Sequence, residues 1–293
     1  MKKSWKRIII SAIILLSALL YELNGNINPF PGWEEGLMHI YFLDVGQADC
    51  TFVIMPDGET FLIDAGNNDD AAFVKRFIRK SGITHLDYVI ATHPHEDHIG
   101  GMAEVIESFE IEKFYMPEAI NATVYYENMI DSLDKCGIET EFASSGIIIK
   151  DGEYKVEFLS PADKDYEELN HYSLVTKITY KDNSFILMGD AEKINEYEMM
   201  DTYGKYIESD VIKIGHHGSE TSSTNEFLEI VNPEMAVISV GADNDYGHPH
   251  KEIKKRLSNL EIPYYRTDLK GSVLFVSDGE NIEVLTEKEA GNR

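Results

Sequence analysis

The stretch Thr92 to Gly101, T-H-P-H-E-D-H-I-G-G, packs His93, His95, Asp97 and His98 into six residues and follows them with the pair Gly100-Gly101. The run in front of it, Leu86-Asp87-Tyr88-Val89-Ile90-Ala91, is short, β-branched and aromatic, the pattern of a buried strand. Behind it Ile99, Met102, Val105, Ile106 and Phe109 recur at helical spacing, which predicts a helix starting at or near His98. The cluster therefore sits where a strand passes into a helix. In extended chain, residues two apart project to one side, so His93 and His95 can share one ion while Asp97 and His98, past the bend, face a second. The alternative is a solvated loop with chance histidines. This density of ligands at a strand-to-helix junction speaks against it.

The rest of the chain alternates strand and helix patterns. Strands are predicted at His39 to Leu43, Thr51 to Met55 and Thr60 to Ile63, the last two joined by a Pro56-Asp57-Gly58 turn. A helix follows at Asp69 to Lys80, and the β-to-α rhythm repeats through Asp87 to Phe109 and Ile111 to Cys136. A second β-rich part opens at Gly146 to Leu159, with a hairpin at Ser173 to Tyr180 and Ser184 to Met188 and a helix at Ala191 to Tyr203. Then come Val211 to Ile214, Thr224 to Val231, Ala236 to Val240, His250 to Leu257 and two closing strands. Two β-then-α halves suit a sandwich of two sheets covered outside by helices.

The motif H-x-H-x-D-H resembles the signature of the metallo-β-lactamase fold. Tyr41 to Asp49 (Y-F-L-D-V-G-Q-A-D), Leu62 to Gly66, Ser173 to Val175, Met188 to Ala191 and Ile212 to Ser219 (I-K-I-G-H-H-G-S) are similar to the soluble domain of ComEC-type competence proteins. The resemblance runs from Met38 to the end and implies an α/β fold, the αββα metallo-β-lactamase sandwich, with metals at the edge between the sheets. It implies two divalent metal ions, Zn or Mn, as cofactors. Asp190 ends a buried strand just before a helix, where an aspartate can serve as N-cap, and the family match makes it the bridging carboxylate. In the adjacent pair His216-His217, His217 is expected as the second-metal ligand and His216 as a substrate-side partner. His248 competes with His217 for that ligand place and otherwise suits a general acid.

His171 falls where many enzymes of this fold complete the first metal site, although the ComEC-like pattern carries asparagine there; ligand and surface-loop readings both stand. Asp64 is expected to orient the 93–98 loop by hydrogen bonds, against the reading of a plain turn aspartate. The resemblance brings Asp44 and Gln47 to the mouth of the site, with Ala48 where the family has glycine. Ser219 and Lys213 are expected to meet a substrate phosphate, and Gly218 to let the backbone turn close to it. His39 and His85 read as structural.

Charge bears on the substrate. The four cations Lys2, Lys3, Lys6 and Arg7 precede Ile8, leaving 22 of 26 against all 52 acids, a net charge of −30. Such a body repels a phosphate backbone at long range and argues against broad duplex binding, though not against a small metal-assisted phosphate site. The basic head is followed by the apolar run Ile8 to Tyr21, read as a signal peptide or a membrane anchor placing the domain outside the cytoplasm. Residues 22–37 read as a linker and 38–293 as one hydrolase domain. Cys50 and Cys136 allow at most one disulfide bond.

Two bound cations lower the proton affinity of a water and clamp a phosphoryl or acyl group, so hydrolysis is the expected reaction. A carboxylate in place of a thiolate, the pair Asp97-His98 and the H-H-G-S loop favour a phosphodiester, with single-stranded DNA as the polymer. The alternatives are hydrolysis of a small ester, lactone or β-lactam and, from another class, a metal-stabilised binding module at the cell surface.

Overall fold

The computed structural model describes residues 30–290. The expected signal or anchor segment 8–21 lies outside them. Among the described residues no helix is long and apolar enough to cross a membrane.

Among the described residues fifteen strands form two sheets. In chain order they are β1 (Met38–Phe42), β2 (Thr51–Ile54), β3 (Thr60–Ile63), β4 (His85–Ile90), β5 (Glu110–Met116), β6 (Thr140–Phe142), β7 (Ile148–Asp151), β8 (Tyr154–Ser160), β9 (Val175–Tyr180), β10 (Asn183–Leu187), β11 (Val211–Lys213), β12 (Met235–Ile238), β13 (Tyr264–Arg266), β14 (Val273–Ser277) and β15 (Ile282–Thr286). One sheet runs β15-β14-β1-β2-β3-β4-β5-β6, the other β13-β12-β11-β10-β9-β8-β7. The chain thus closes on three strands where the sequence suggested two. The additional one, β13, joins the second sheet beside β12, while β14 crosses back to pair with β1.

Period-two alternation explains the layering. All of β1 is buried, yet Met38, Ile40 and Phe42 enter the core between the sheets while Tyr41 packs outward on Phe77 of the helix Ala71–Lys80. On β10 and β11 the same split sends Phe185, Leu187 and Val211 inward. Ile186 and Ile212 go outward, against Met199, Phe227 and Leu228 of the covering helices. Strands buried on both faces read as unbroken apolar runs, and helices on both outer faces complete the αββα sandwich.

Two pairings position the chemistry. β3 lies parallel to β4, and β10, β11 and β12 are parallel neighbours, so the carboxyl ends of these five strands gather at one edge. The two sheets meet there, where the Leu174 N–H donates to the Thr92 carbonyl (3.0 Å). At the 92–101 loop a Cβ on Gly101 would come within 2.4 Å of the Ala65 carbonyl oxygen, so the loop can dock on the β3 end only with glycine there.

Phe30 is buried against Tyr41, and Trp33 donates its indole N–H to the Leu37 carbonyl (2.8 Å). Cys50 is buried and Cys136 exposed, both free, so the disulfide that the sequence allowed is not formed.

His39 is a core histidine: its Nδ1 accepts from the Tyr41 hydroxyl (2.9 Å), and burial lowers its pKa from 6.5 to about 4. Between those values the unfolded chain binds the proton and the folded one does not. The stability associated with His39 is therefore full above pH 6.5 and lost as pH falls through the window. Urea unfolding near neutrality and at about pH 5 is expected to show the wild type losing roughly 2 kcal/mol more than His39→Asn. Equal losses would refute this account.

Candidate active site

Each group of the cluster leaves the end of a strand. Asp64 follows β3, His93 to His98 follow β4, Asp190 follows β10, His216 and His217 follow β11, and His248 lies in the loop after β12. Asp64, His216 and His217 hold left-handed backbone conformations (φ 60°, 48° and 50°), each a cost of about 1–3 kcal/mol that the surrounding packing must sustain. They turn sharply because their side chains must face back over the sheet edge. Gly218 continues the same turn, and a Cβ there would meet Pro249 at 2.6 Å. Its room is taken by the residue after His248 rather than left for substrate, which ties the two histidine loops together.

Asp190 stands at the centre, 2% exposed, with its two oxygens divided. Oδ1 lies 3.2 Å from His98 Nε2 and 3.6 Å from His217 Nε2; Oδ2 lies 3.7 Å from His216 Nε2 and 4.0 Å from His93 Nε2. On the first side Asp97 joins, its Oδ2 3.1 Å from His217 Nε2, so that Asp97, His98, Asp190 and His217 offer ligand atoms within 4.8 Å of one another. On the second side His95 Nδ1 approaches His93 Nε2 to 2.9 Å.

Three of the rings, those of His98, His217 and His216, are fixed from behind by a carbonyl or carboxylate that takes the proton of the remote nitrogen. Asp64 accepts from His98 Nδ1 (2.7 Å) and is itself held by the N–H and hydroxyl of Thr92 (2.8 and 2.7 Å). Ser239 O accepts from His217 Nδ1 (3.0 Å), and Glu192 accepts from His216 Nδ1 (3.0 Å). This pattern fixes the tautomer and turns Nε2 towards Asp190, as in metal-bound histidines.

The cluster fits divalent cations. His98 Nε2, Asp190 Oδ1 and Asn170 Oδ1 are buried without a hydrogen-bond partner, a cost of about 1–3 kcal/mol each unless something else satisfies them. Burial resists charge here, but Asp190, Asp64 and Asp97 still hold the His98 pKa well above its ordinary value. Against the same burial, Asp190, Asp49 and Asp97 bring His217 to about 8. Burial and the neighbouring His98 push His93 well down instead. The carboxylates thus draw positive charge into the site, and a divalent cation can supply it in place of protons.

Several expected residues stand elsewhere. His171 is turned out of the cleft, with Nε2 3.5 Å from Glu192 and its ring against Tyr166. Neighbours in the tight turn Leu169–Tyr172 diverge, so it is Asn170 that faces the cleft beside His216. Lys213 is 2% exposed and paired with buried Asp49 at 2.5 Å, beneath the site and out of reach of a substrate. Ser219 is buried, with its hydroxyl 3.0 Å from that of Thr221. Asp44 lies off the cleft, where burial raises its pKa and the Gly46 N–H donates to it, so it shapes the loop turn. His85 is a surface residue 3.3 Å from Asp87.

The cleft over the cluster has a volume of about 540 Å³ and is rimmed by Gln47, Asn67, Glu96, Tyr246 and His248. Among the described residues no lysine or arginine lines it. Gln47 accepts from the Gly241 N–H (3.1 Å), which leaves its amide nitrogen to donate to His248 Nδ1 (3.3 Å). His248 therefore carries its proton on Nε2. Burial and the facing His216, His217 and His250 rings lower its pKa to about 4, so it is a neutral N–H donor. Asp49, in the D-V-G-Q-A-D run, and Asn170, next to the position where the ComEC-like pattern carries asparagine, have a signal in the sequence; Glu192 and Tyr246 have none.

Known proteins agree with this architecture. The chain is 30% identical over 250 residues to ComE operon protein 3 of Bacillus subtilis, covering 80% of this chain and 32% of that protein. It is 28% identical over 200 residues to the competence protein ComA of Neisseria gonorrhoeae, covering 68% and 26%. It thus spans about a third or less of the length of these relatives. Among solved structures, the metallo-beta-lactamase fold protein YhfI from Bacillus subtilis aligns with a TM-score of 0.56 at 12% identity, over 82% of this chain and 99% of that one. The sequence pattern of the Metallo-beta-lactamase superfamily matches residues 43–242 and takes in the 93–98 motif, Asp190 and both histidines after β11. With two sheets meeting at one edge around a shared carboxylate, this chain belongs to the metallo-beta-lactamase superfamily.

Proposed function

We propose that the chain is a dinuclear metal-dependent phosphodiesterase, with single-stranded DNA as its polymeric substrate. The observation that carries the dinuclear reading is the division of the Asp190 oxygens between two sets of imidazole nitrogens. Asp97, His98 and His217 would hold one ion, and His93, His95 and His216 the other, with Asp190 facing both. His216 thus takes the ligand place considered for His171, and Glu192 orients it. Bound Zn or Mn ions would supply a water of lowered pKa and neutralise developing charge on a phosphoryl group.

The chain's own groups do the rest. The Asp64 and Ser239 contacts hold His98 and His217 in place, so little reorganisation accompanies reaction. Asp97, the most exposed carboxylate of the cluster at 31%, is kept ionised by His98 and His217 and would orient the attacking water by accepting its hydrogen bond. His248 donates its Nε2–H to an oxygen of the substrate as a neutral imidazole, a hydrogen-bond donor rather than the general acid expected from the sequence.

DNA is favoured by the similarity to competence proteins and by the all-carboxylate and imidazole ligand set. Hydrolysis of a small ester, lactone or β-lactam is the second reading, and a lining without cations favours the uncharged ester or lactone among these. The test is turnover by the full chain, reconstituted with Zn²⁺ or Mn²⁺, on single-stranded DNA, bis-p-nitrophenyl phosphate, a lactone and a cephalosporin. The two phosphodiesters are expected to be cleaved, with chelator abolishing the rate. Cleavage of the lactone or cephalosporin alone would transfer the assignment to the second reading, and no turnover at all would leave a binding module.

A further inference from the structure

Tyr246 is 69% exposed, yet it lines the catalytic cleft. A single exposed aromatic ring needs no explanation by itself, but this one stands at the cleft and is held firmly. Its ring stacks on His248, with centroids 5.5 Å apart and planes at 23°. The loop beneath is pinned at both ends: Asn244 donates to the carbonyls of Gly241 and His248 (2.9 and 2.7 Å) and accepts from the His248 N–H (3.0 Å). His250 Nε2 donates to the Tyr246 carbonyl (3.1 Å), while its Nδ1 accepts from the Glu220 N–H (2.9 Å). The ring is thus presented at the rim at small entropic cost, one face towards His248.

The chemistry of the remaining rim limits what this ring can serve. No lysine or arginine among the described residues lines the cleft, and the chain from Ile8 onward carries a charge of −30. Affinity for a nucleic acid cannot come from a run of phosphate contacts. The rim amides are also committed: Gln47 to Gly241 and His248, Asn67 to Asp70. Neither of these two rim amides is left unengaged to read a base edge. A π-face stays available, and stacking accepts every base.

We propose that Tyr246, backed by His248, is the stacking platform for the nucleobase next to the scissile phosphate. The substrate is then a single-stranded or nucleotide-sized phosphodiester, gripped by an unpaired base rather than by its charge and without preference for base identity. This rests on the phosphodiesterase reading above. A paired base has its faces covered by neighbours, so duplex substrates are excluded by the same contact.

The experiment compares two diesters that share a leaving group, thymidine 5′-(p-nitrophenyl phosphate) and methyl p-nitrophenyl phosphate, with the full chain loaded with Zn²⁺ or Mn²⁺. The wild type is expected to favour the thymidine ester in kcat/KM by about tenfold or more. Tyr246→Ala is expected to erase most of that ratio, and Tyr246→Phe to keep it. Calorimetry with thymidine 5′-monophosphate should show Kd raised about tenfold in Tyr246→Ala, with log Kd nearly independent of log salt. An unchanged ester ratio in Tyr246→Ala, or a steep salt dependence, overturns the platform while leaving the phosphodiesterase intact. Failure of the wild type to cleave either ester overturns both.

Discussion

Asp190→Ala is expected to lower the metal content of the purified, reconstituted protein from about two ions per chain to less than one, and turnover to the level seen with chelator. The reason is geometric. One carboxylate supplies Oδ1 to the His98 and His217 side and Oδ2 to the His93 and His216 side, so its loss takes a ligand from each place at once. The cluster also loses the anion that does most to keep His98 charged against burial, which weakens its pull on any cation. A second readout is independent of catalysis. At about 100-fold over Kd, a bound ion stabilises the fold by roughly 2.7 kcal/mol, and that metal-dependent shift in unfolding should vanish in the variant. Two ions retained by elemental analysis would refute the bridging role.

Lys213→Met is expected to destabilise the fold by about 3–5 kcal/mol, a large share of the 5–15 kcal/mol typical of a domain. Lys213 Nζ and Asp49 Oδ2 are 2.5 Å apart, both nearly inaccessible, and removing the cation strands a buried carboxylate. Asp49 also lies 3.5 Å from His217 Nδ1 and 3.9 Å from His98 Nδ1, so the damage should reach the metal ligands from below. The double variant Lys213→Met/Asp49→Leu should recover much of the lost stability, because an apolar pair of similar volume needs no compensating charge. Chemical denaturation measures both. A phosphate-binding lysine would behave differently, raising KM with stability unchanged, and that outcome would restore the role its place in the I-K-I-G-H-H run suggested.

Much of the architecture was legible because it depends on local periodicity. Alternating and unbroken apolar runs located the strands at Thr60–Ile63 and Val211–Lys213 to within a residue or so. The strand-to-helix junction placed His93 to His98 at an element end, where a side chain can face a site. The short β13 escaped notice because three residues, exposed to half-buried, carry too little pattern to stand apart from a loop.

Local pattern therefore brings particular residue types to the carboxyl ends of strands: the H-x-H-x-D-H run, Asp190, and the His216-His217 pair. Which way each one faces, and what lies beneath it, depends on long-range packing. Asn170 rather than His171 turns inward because a 3₁₀ turn sends neighbours apart. His216 and His217 fall on opposite oxygens of Asp190 because two successive left-handed residues twist the backbone between them. Lys213 is lost to substrate because Asp49, from the first sheet's opening loop, packs over it at a separation of 164 residues. Facing and burial of this kind arise where two sheets meet, from contacts between segments far apart in the chain, and no local pattern encodes them.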